Sequence, residues 1–415
     1  MVTLSTARIE DIKRHYHLGD TIVRSLQTYM GNPMKSRLIP HSKKPTGRYS
    51  GLFNRYIVRL FVILITGLSS ACDIEIPDQE TRHYSGATMG TYYSVKVVGN
   101  FQEIEQDSLR NAGVQQLGSD IEGILTRVND LMSTYRADSE LSRFNASTTT
   151  DWFPVSRDLY TVVQEALAIS QLTDGAFDIT VGPLVNLWGF GPSEEPQDPA
   201  SRERTRRQQP IPSATALKAT MAHTGYKKLH ARANPPALRK DHPKLYLDLS
   251  AIAKGFAVDK IARHLEENGF INYLVDVGGE LCASGNNDKG KPWRVGIEKP
   301  TSGKRDLHLI IALDNHGVAT SGDYRNFFEQ DGKRYSHTIN PKTGKPITHN
   351  LASVSVLDPR AMRADAFATA LSVLGQEAGY RLAQRHRIPA WFIIKTETGF
   401  RDRSSPGFAE FLVNE

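Results

Sequence analysis

Cysteine is nearly missing from this 415-residue chain, which holds only Cys72 and Cys282. Two thiols exclude a disulfide framework and a four-thiolate metal site. Neither a Walker loop nor a G-x-G-x-x-G fingerprint is present, so the standard nucleotide folds are not indicated. Internal repeats are absent as well. What is there, 39% hydrophobic and 23% charged residues, describes an ordinary globular chain, neither disordered nor collagenous. The length suits two domains, or one large domain with insertions.

Acidic residues are scarce at one end only. Residues 1–71 carry 11 Lys+Arg against 3 Asp+Glu, a net of +8, whereas 72–415 carry 40 against 42, a net of −2. The overall +6 therefore says nothing about nucleic acid, which needs a basic patch on the folded body. Within the front piece Lys43, Lys44, Arg48, Arg55 and Arg59 lead into LFVILI (60–65) and then LSSAC (68–72). A positive n-region, a short apolar run and small residues read as an export signal. The run from Ile57 to Leu68 is too short for a membrane span of about 20 residues. Cys72 at its end resembles a bacterial lipobox cysteine, which is lipidated and becomes the mature N-terminus. The usual Leu three places earlier is here Ser69. An uncleaved anchor, or an ordinary signal with an incidental Cys, is the alternative. Residues 1–33 match no known targeting class, and Met34, followed by Lys35 and Arg37, suits a start of its own. Cys282 then has no partner and reads as a small buried apolar residue.

Residues 72–83, acidic and Pro-containing, read as a tether, with the folded body at 84–415. TYYSVKVV (91–98) predicts a strand. Ser156 predicts a helix cap ahead of Leu159, Val162, Val163, Ala166, Ile169 and Leu172 at helical spacing, with Asp174 and Gly175 ending the helix. Residues 192–213 are polar and Pro-rich, a loop insertion and not a domain boundary. Ser250 is expected to cap a second helix ending before Gly269. Five strand-like runs follow between 271 and 322: INYLVDV, ELCASG, WRVGIE, LHLIIAL and HGVATSG. Asp365 is expected to open a small-residue helix closed by Gly375, and AWFIIK (390–395) to form a last buried strand. Strands and helices mix without a βαβ rhythm, which favours α+β over a doubly wound sheet.

Glycine beside acid or hydroxyl residues recurs at Met89-Gly-Thr91, Gly175-Ala-Phe-Asp178, Asp248-Leu-Ser-Ala251, Asp276-Val-Gly-Gly-Glu280 and Thr320-Ser-Gly-Asp323. Such islands let backbone approach a ligand and bind anions, although Gly-Asp pairs are also ordinary turn chemistry. Asp365 and Thr369, four apart, share one helix face. Two hard oxygens there suit Mg²⁺, which recruits phosphate oxygens and water to complete its shell. A capping Asp with a buried Thr fits the same spacing. His337 has the chemistry of a general base or of a hydrogen-bonded structural histidine.

Nine ordered motifs together resemble the ApbE-type FAD:protein FMN transferases: TMGT (88–91), STYRADSELSRFN (133–145), GAFDITVGPLVNLWGFGP (175–192), LDLSAIAKGFAVDKI (247–261), YLVDVGGELCASG (273–285), PWRVGIEKP (292–300), VATSGDYRNF (318–327), YSHTINPKTGKPI (335–347) and RADAFATAL (363–371). The resemblance implies an α+β, T-fold-related architecture of two lobes with FAD in the cleft between them. It implies Mg²⁺-dependent transfer of the FMN part of FAD to a protein Thr hydroxyl, leaving a phosphoester and releasing AMP. It implies acceptors with an S/T-G-A-T motif in redox-pump subunits, such as those of Na⁺-translocating NADH:quinone reductase and the Rnf complex. A lipid-anchored place on the periplasmic side of the inner membrane is implied too. By motif, Met89, Ala176, Phe177, Asp178, Asp248, Lys254, His337 and Ile339 would contact FAD. The Ala251 carbonyl with Asp365 and Thr369 would hold the metal, and His337 would be the base for the acceptor Thr. A FAD pyrophosphatase and a non-catalytic flavin-binding lipoprotein are the rival readings. SGAT (85–88) imitates the acceptor core, but Arg82 stands where that motif has an acid, and Thr88 belongs to the TMGT island; coincidence is the better reading.

Overall fold

The computed structural model describes residues 79–101, 108–191, 211–301, 306–322, 327–330 and 333–413, all inside one contact unit running from Glu75 to Glu415. The export segment, Cys72 and residues 192–210 of the polar insertion lie outside the described residues. Eight strands form the central sheet: β1 (Glu80–Thr88), β2 (Thr91–Gly99), β3 (Asn272–Val277), β4 (Glu280–Ser284), β5 (His316–Gly322), β6 (Leu351–Asp358), β7 (Ala390–Thr396) and β8 (Gly399–Ser404). Their order across the sheet is their order along the chain, and every neighbouring pair is antiparallel. This is the α+β arrangement expected from the missing βαβ rhythm.

Antiparallel neighbours need only tight turns, so the longer links are insertions. Between β2 and β3 run α1 (Ser108–Met132), α2 (Glu140–Ala146), α3 (Arg157–Leu172), α4 (Gly182–Leu187), α5 (Ala214–Met221) and α6 (Ala253–Glu267). A hairpin of Trp293–Glu298 with Leu307–Leu313 separates β4 from β5, and α7 (Ala361–His386) joins β6 to β7. Alternating side chains send the sheet's two faces to different cores. Val95, Val275, Val277, Ala319, Val354, Val356 and Phe392 pack under the helices. Val98, Val318, Leu357 and Ile393 pack instead under Trp293, Val295, Ile297, Ile311 and Leu313 of the hairpin. A third, smaller cluster joins Leu184, Trp188, Leu217, Phe328, Tyr335 and Ile339. Full burial of a Phe such as Phe367 or Phe392 contributes about 1.5–3 kcal/mol.

The five strand-like runs between 271 and 322 all form strands; those in the central sheet send alternate apolar residues to its two opposite cores. Cys282 is a free, buried thiol in the main cluster, and burial pushes its pKa up. Ser156 does cap α3, accepting from the Leu159 N–H at 3.2 Å. Several expectations need correction. Residues 80–83, expected to belong to the tether, are instead in the first strand, where Glu80 pairs with Gly99. Leu172, at the end of α3, is 41% exposed. Ser250 does not cap α6; its hydroxyl is bound to Asp248 Oδ1 at 2.6 Å, and Ile252 takes the cap position without a side-chain bond. Asp365 does not open α7, which starts at Ala361. The cap there comes from a distant residue, Asp259 of α6, whose two carboxylate oxygens accept the Ala361 and Met362 N–H groups at 2.7 and 3.0 Å. Gly375 does, as expected, end the helical stretch that holds Asp365: its φ of +74° and ψ of −178° are non-helical, and a second helical stretch continues beyond it to His386.

The start of α7 is wedged between two glycines. A Cβ on Gly255 would lie 2.4 Å from the Ala361 carbonyl oxygen, and a Cβ on Gly317 would lie 2.6 Å from the Ala361 Cα. Backbone cannot give way there as a flexible side chain would. We expect Gly255→Ala to destabilise the protein by about 1–3 kcal/mol or more, read as a lower urea midpoint, while Gly123→Ala, with open space around it, stays near wild type.

Candidate active site

A cleft of about 800 Å³ opens between the sheet-and-helix body and the small lobe built on the third cluster. That size lies within the range of small-molecule sites. Its body side is formed by the residues entering α6, one face of α7, the β3–β4 turn and the end of β5; the lobe side is formed by residues 176–191 and 337–341.

Local chemistry fixes each wall. Asp248 Oδ1 accepts the N–H and the hydroxyl of Ser250 at 2.9 and 2.6 Å, tightening the turn that presents Ala251. The Asp248 N–H donates to the Ile179 carbonyl at 2.8 Å and ties that turn to the 175–181 segment. In that segment Asp178 accepts the Thr180 N–H and hydroxyl and the Tyr226 N–H at 2.7–2.8 Å. Burial nevertheless holds the Asp178 carboxyl above its ordinary pKa, against those hydrogen bonds. On the other wall His337 meets the Phe190 ring edge-on at 6.3 Å. Trp188, stacked on Tyr335, donates to the Gly344 carbonyl at 2.7 Å and fastens the loop that carries His337.

The charged centre is Lys254. Its Nζ lies 2.9 Å from Glu280 Oε2 and 3.9 Å from Asp365 Oδ2, with the side chain one-quarter exposed to the cleft. Burial alone would lower the Lys254 pKa, but the Asp365 and Glu280 charges outweigh it and hold it above the ordinary lysine value. Burial, with the Asp365 charge beside it, pushes Glu280 up to about 7 despite the Lys254 ion pair. Burial raises Asp365 too, against the pull of Lys254 and the Gly255 N–H, which donates to its Oδ2 at 3.2 Å.

Of the eleven residues assigned from sequence to flavin, metal or catalysis, ten line this one cleft: Ala176, Phe177, Asp178, Asp248, Ala251, Lys254, His337, Ile339, Asp365 and Thr369. Met89 does not. It sits in the two-residue β1–β2 turn at φ +49°, followed by Gly90 at φ +73°, and packs against the main core. Cys72, the assigned lipidation site, lies outside the described residues. Asp178 lines the wall while its oxygens are engaged in holding the loop. Thr88 ends β1 with its hydroxyl accepting from Asn129 at 3.3 Å, a place in the ladder and not at the cleft. The assignment from sequence missed Glu280, 6% exposed. A signal existed: in ELCAS, Glu280 shares strand parity with the inward-facing Cys282, which puts a carboxylate into the interior. Asp276, its Oδ1 accepting the Gly279 N–H at 2.8 Å, and the 73%-exposed Tyr135 also line the cleft.

Among the described residues no cluster of three or more His, Cys, Asp or Glu is arranged for a metal. The donors that do converge are hard oxygens. Asp365 and Thr369 stand one turn apart on α7, with Ala251 on the facing turn. Asp365 Oδ1 and the Thr369 hydroxyl take no hydrogen bond from any described residue. One carboxylate, one hydroxyl and one carbonyl fit Mg²⁺ better than a softer ion, because Mg²⁺ keeps room for water and phosphate oxygens.

Comparison with known proteins decides the family. The ApbE family model matches residues 89–392. The chain belongs to the ApbE family. It is 44% identical over 355 residues to the FAD:protein FMN transferase of Vibrio cholerae, covering 86% of this chain and 99% of that one. The Haemophilus influenzae protein of the same name is 42% identical, with 83% and 96% covered. The solved flavin transferase ApbE from Vibrio cholerae superposes with TM-score 0.69 over 80% of this chain and 100% of its own. The apo form of the Pseudomonas stutzeri flavinyl transferase ApbE, 38% identical, gives 0.69 over 82% and 99%. The protein is therefore an enzyme of the transferase class with the α+β ApbE fold.

Removing the central cation should expose what it balances. Lys254→Met leaves two buried carboxylates facing each other, and we expect a loss of about 3–5 kcal/mol. The double variant Lys254→Met/Glu280→Leu should recover most of it in urea unfolding. A single variant as stable as wild type would show that the pair is not coupled.

Proposed function

We propose that the chain transfers the FMN part of FAD to a Thr hydroxyl of an acceptor protein, forming a phosphoester and releasing AMP, with Mg²⁺ required. One observation carries this reading: Lys254, Asp365, Thr369, Ala251 and His337, drawn from three separate motifs, face one cleft. FAD and the acceptor are the substrates. Phosphoryl transfer asks a protein mainly for positioning and charge neutralisation. Lys254, fixed by Glu280, offers its cation to the pyrophosphate. Asp365, Thr369 and the Ala251 carbonyl would hold Mg²⁺, which neutralises charge on the phosphate oxygens when bound. His337 takes the proton of the acceptor hydroxyl on an imidazole nitrogen as that oxygen bonds to the FMN phosphorus. The bond from that phosphorus to the AMP oxygen breaks, and AMP leaves with the electron pair. A positioned base of this kind contributes about 10²–10⁴-fold.

The reading extends to place and partner. The +8 segment ahead of Cys72 supports export and lipid anchoring on the periplasmic side of the inner membrane. Acceptors are then periplasm-facing proteins with an S/T-G-A-T motif, the redox-pump subunits among them. Among the described residues no helix is long and apolar enough to cross a membrane.

Asp365→Asn keeps the side chain's shape and removes the charge. AMP release from FAD should fall by at least about 10²-fold, with Mg²⁺ no longer stimulating it and near-wild-type unfolding. Unchanged AMP release would sink the metal assignment. AMP formed at full rate without any acceptor protein would instead favour the pyrophosphatase. For anchoring, Cys72→Ala should move the chain from the membrane pellet to the soluble fraction; a chain that stays in the pellet would refute lipidation at Cys72.

A further inference from the structure

The run LYLDL (245–249) alternates like a strand: Leu245, Leu247 and Leu249 are fully buried, and Asp248 stands on the cleft wall. Yet the run belongs to no sheet. Buried backbone groups need partners, and here side chains supply them. The Asn145 side chain donates to the Leu247 carbonyl at 2.9 Å and accepts the Leu247 N–H at 2.8 Å. One amide thus copies both bonds of an antiparallel neighbour. Lys240 Nζ donates to the Leu245 carbonyl at 3.4 Å. The chain then passes through Asp248, whose N–H is held by the Ile179 carbonyl, to Ala251.

Lys240, only 1% exposed, ends the strand Pro236–Lys240. Its Nζ also donates to the Phe144 and Asn145 carbonyls at 3.1 and 3.3 Å. These lie in the last turn of α2, where carbonyls lack helical partners and favour a cation. Among the described residues no carboxylate pairs with this ammonium, and burial pulls its pKa below the ordinary lysine value. A charge is costly in such a place, and an apolar side chain would fill the volume at less cost. What the ammonium adds is three donors on one atom. Two grip the end of α2, and the third grips a segment about one hundred positions further along the chain.

Period 2 makes the register of that segment all-or-none, since a slip of one residue would bury Asp248 and turn Leu247 to the cleft. We propose that Asn145 and Lys240 are positioning residues for the transfer centre. They set the register of 245–249, and so hold Asp248 in the cleft wall and Ala251 on the turn facing Asp365 and Thr369. Neither lines the cleft; both act through the Leu245 and Leu247 backbone. The link to transfer rests on the transferase reading above.

The test uses the full-length chain and three variants. Asn145→Ala removes both bonds to Leu247, Asn145→Asp keeps the acceptor and loses the donor, and Lys240→Met keeps the aliphatic stem beside Phe144 and loses the ammonium. Without any ligand, hydrogen exchange at the Asp248 amide should quicken by about tenfold or more in Asn145→Ala and Lys240→Met, and by less in Asn145→Asp. Amides of β3 should keep wild-type rates. With FAD, the Mg²⁺ concentration for half-maximal AMP release should rise by about tenfold, more than the saturated rate falls. Phe408→Leu, a cavity variant in the core under the hairpin, should lower the urea midpoint and leave both readouts at wild type. Folded variants with wild-type exchange at Asp248, or with an unchanged Mg²⁺ requirement, overturn the proposal. Failure of all three variants to fold overturns it too, in favour of a purely structural role. A wild-type chain that releases no AMP from FAD sinks the transferase reading instead, and the exchange rates then still decide whether Asn145 and Lys240 set the segment.

Discussion

Everything at the site depends on how closely α6 can approach α7. Gly255 and Gly317 let the Ala361 backbone come within a distance that any Cβ would forbid. Two further contacts follow from that approach. Asp259 of α6 can reach the first two amides of α7, and the Gly255 amide can reach the Asp365 carboxylate. Had the helices stood even one methyl group apart, Lys254 and Asp365 would face each other across a gap, and the proposed metal oxygens on α7 would be out of register with Ala251. Close packing of small residues thus sets the geometry of the charged centre, in the way that interiors transmit displacement without absorbing it.

The same approach explains why so much charge can stand in so little water. One ammonium between two buried carboxylates leaves a net negative centre, and burial raises both acids in response. Such a site is poorly satisfied by the protein alone. A divalent cation on Asp365 and Thr369 would restore the balance, and the pyrophosphate of FAD would then bring its own negative charge to Lys254 and the metal together. On the proposed reading the charges suit a substrate that binds together with a cation, which is a different design from a stabilising salt bridge.

Much of this was legible in the sequence, and what was not has a physical reason. The period-2 runs between 271 and 322 announce their strands because those in the central sheet send alternate residues to its two opposite cores. Asp365 and Thr369 share a face by helical spacing alone. Long-range capping is invisible by contrast: Ser250 looks like the cap of α6 and Asp365 like the cap of α7, yet Ser250 closes on Asp248 and the α7 cap comes from Asp259, about one hundred positions earlier in the chain. Met89 differs again: it is a motif residue whose positive-φ turn packs it against the main core. Glu280 could have been found from its strand parity, but its role depends on where Lys254 lands, and that is a fact of packing.

The division of the cleft bears on whether such an enzyme modifies proteins or merely cleaves its dinucleotide. On the proposed reading the phosphate end, with Lys254, Asp365 and Thr369, would serve water and hydroxyl nucleophiles equally, because it would stabilise charge on phosphorus without selecting the attacker. Selection has to come from the other end, where the attacker is held. His337 can take a proton from any nearby oxygen, so preference for a Thr hydroxyl requires that its oxygen be held in place and water kept out.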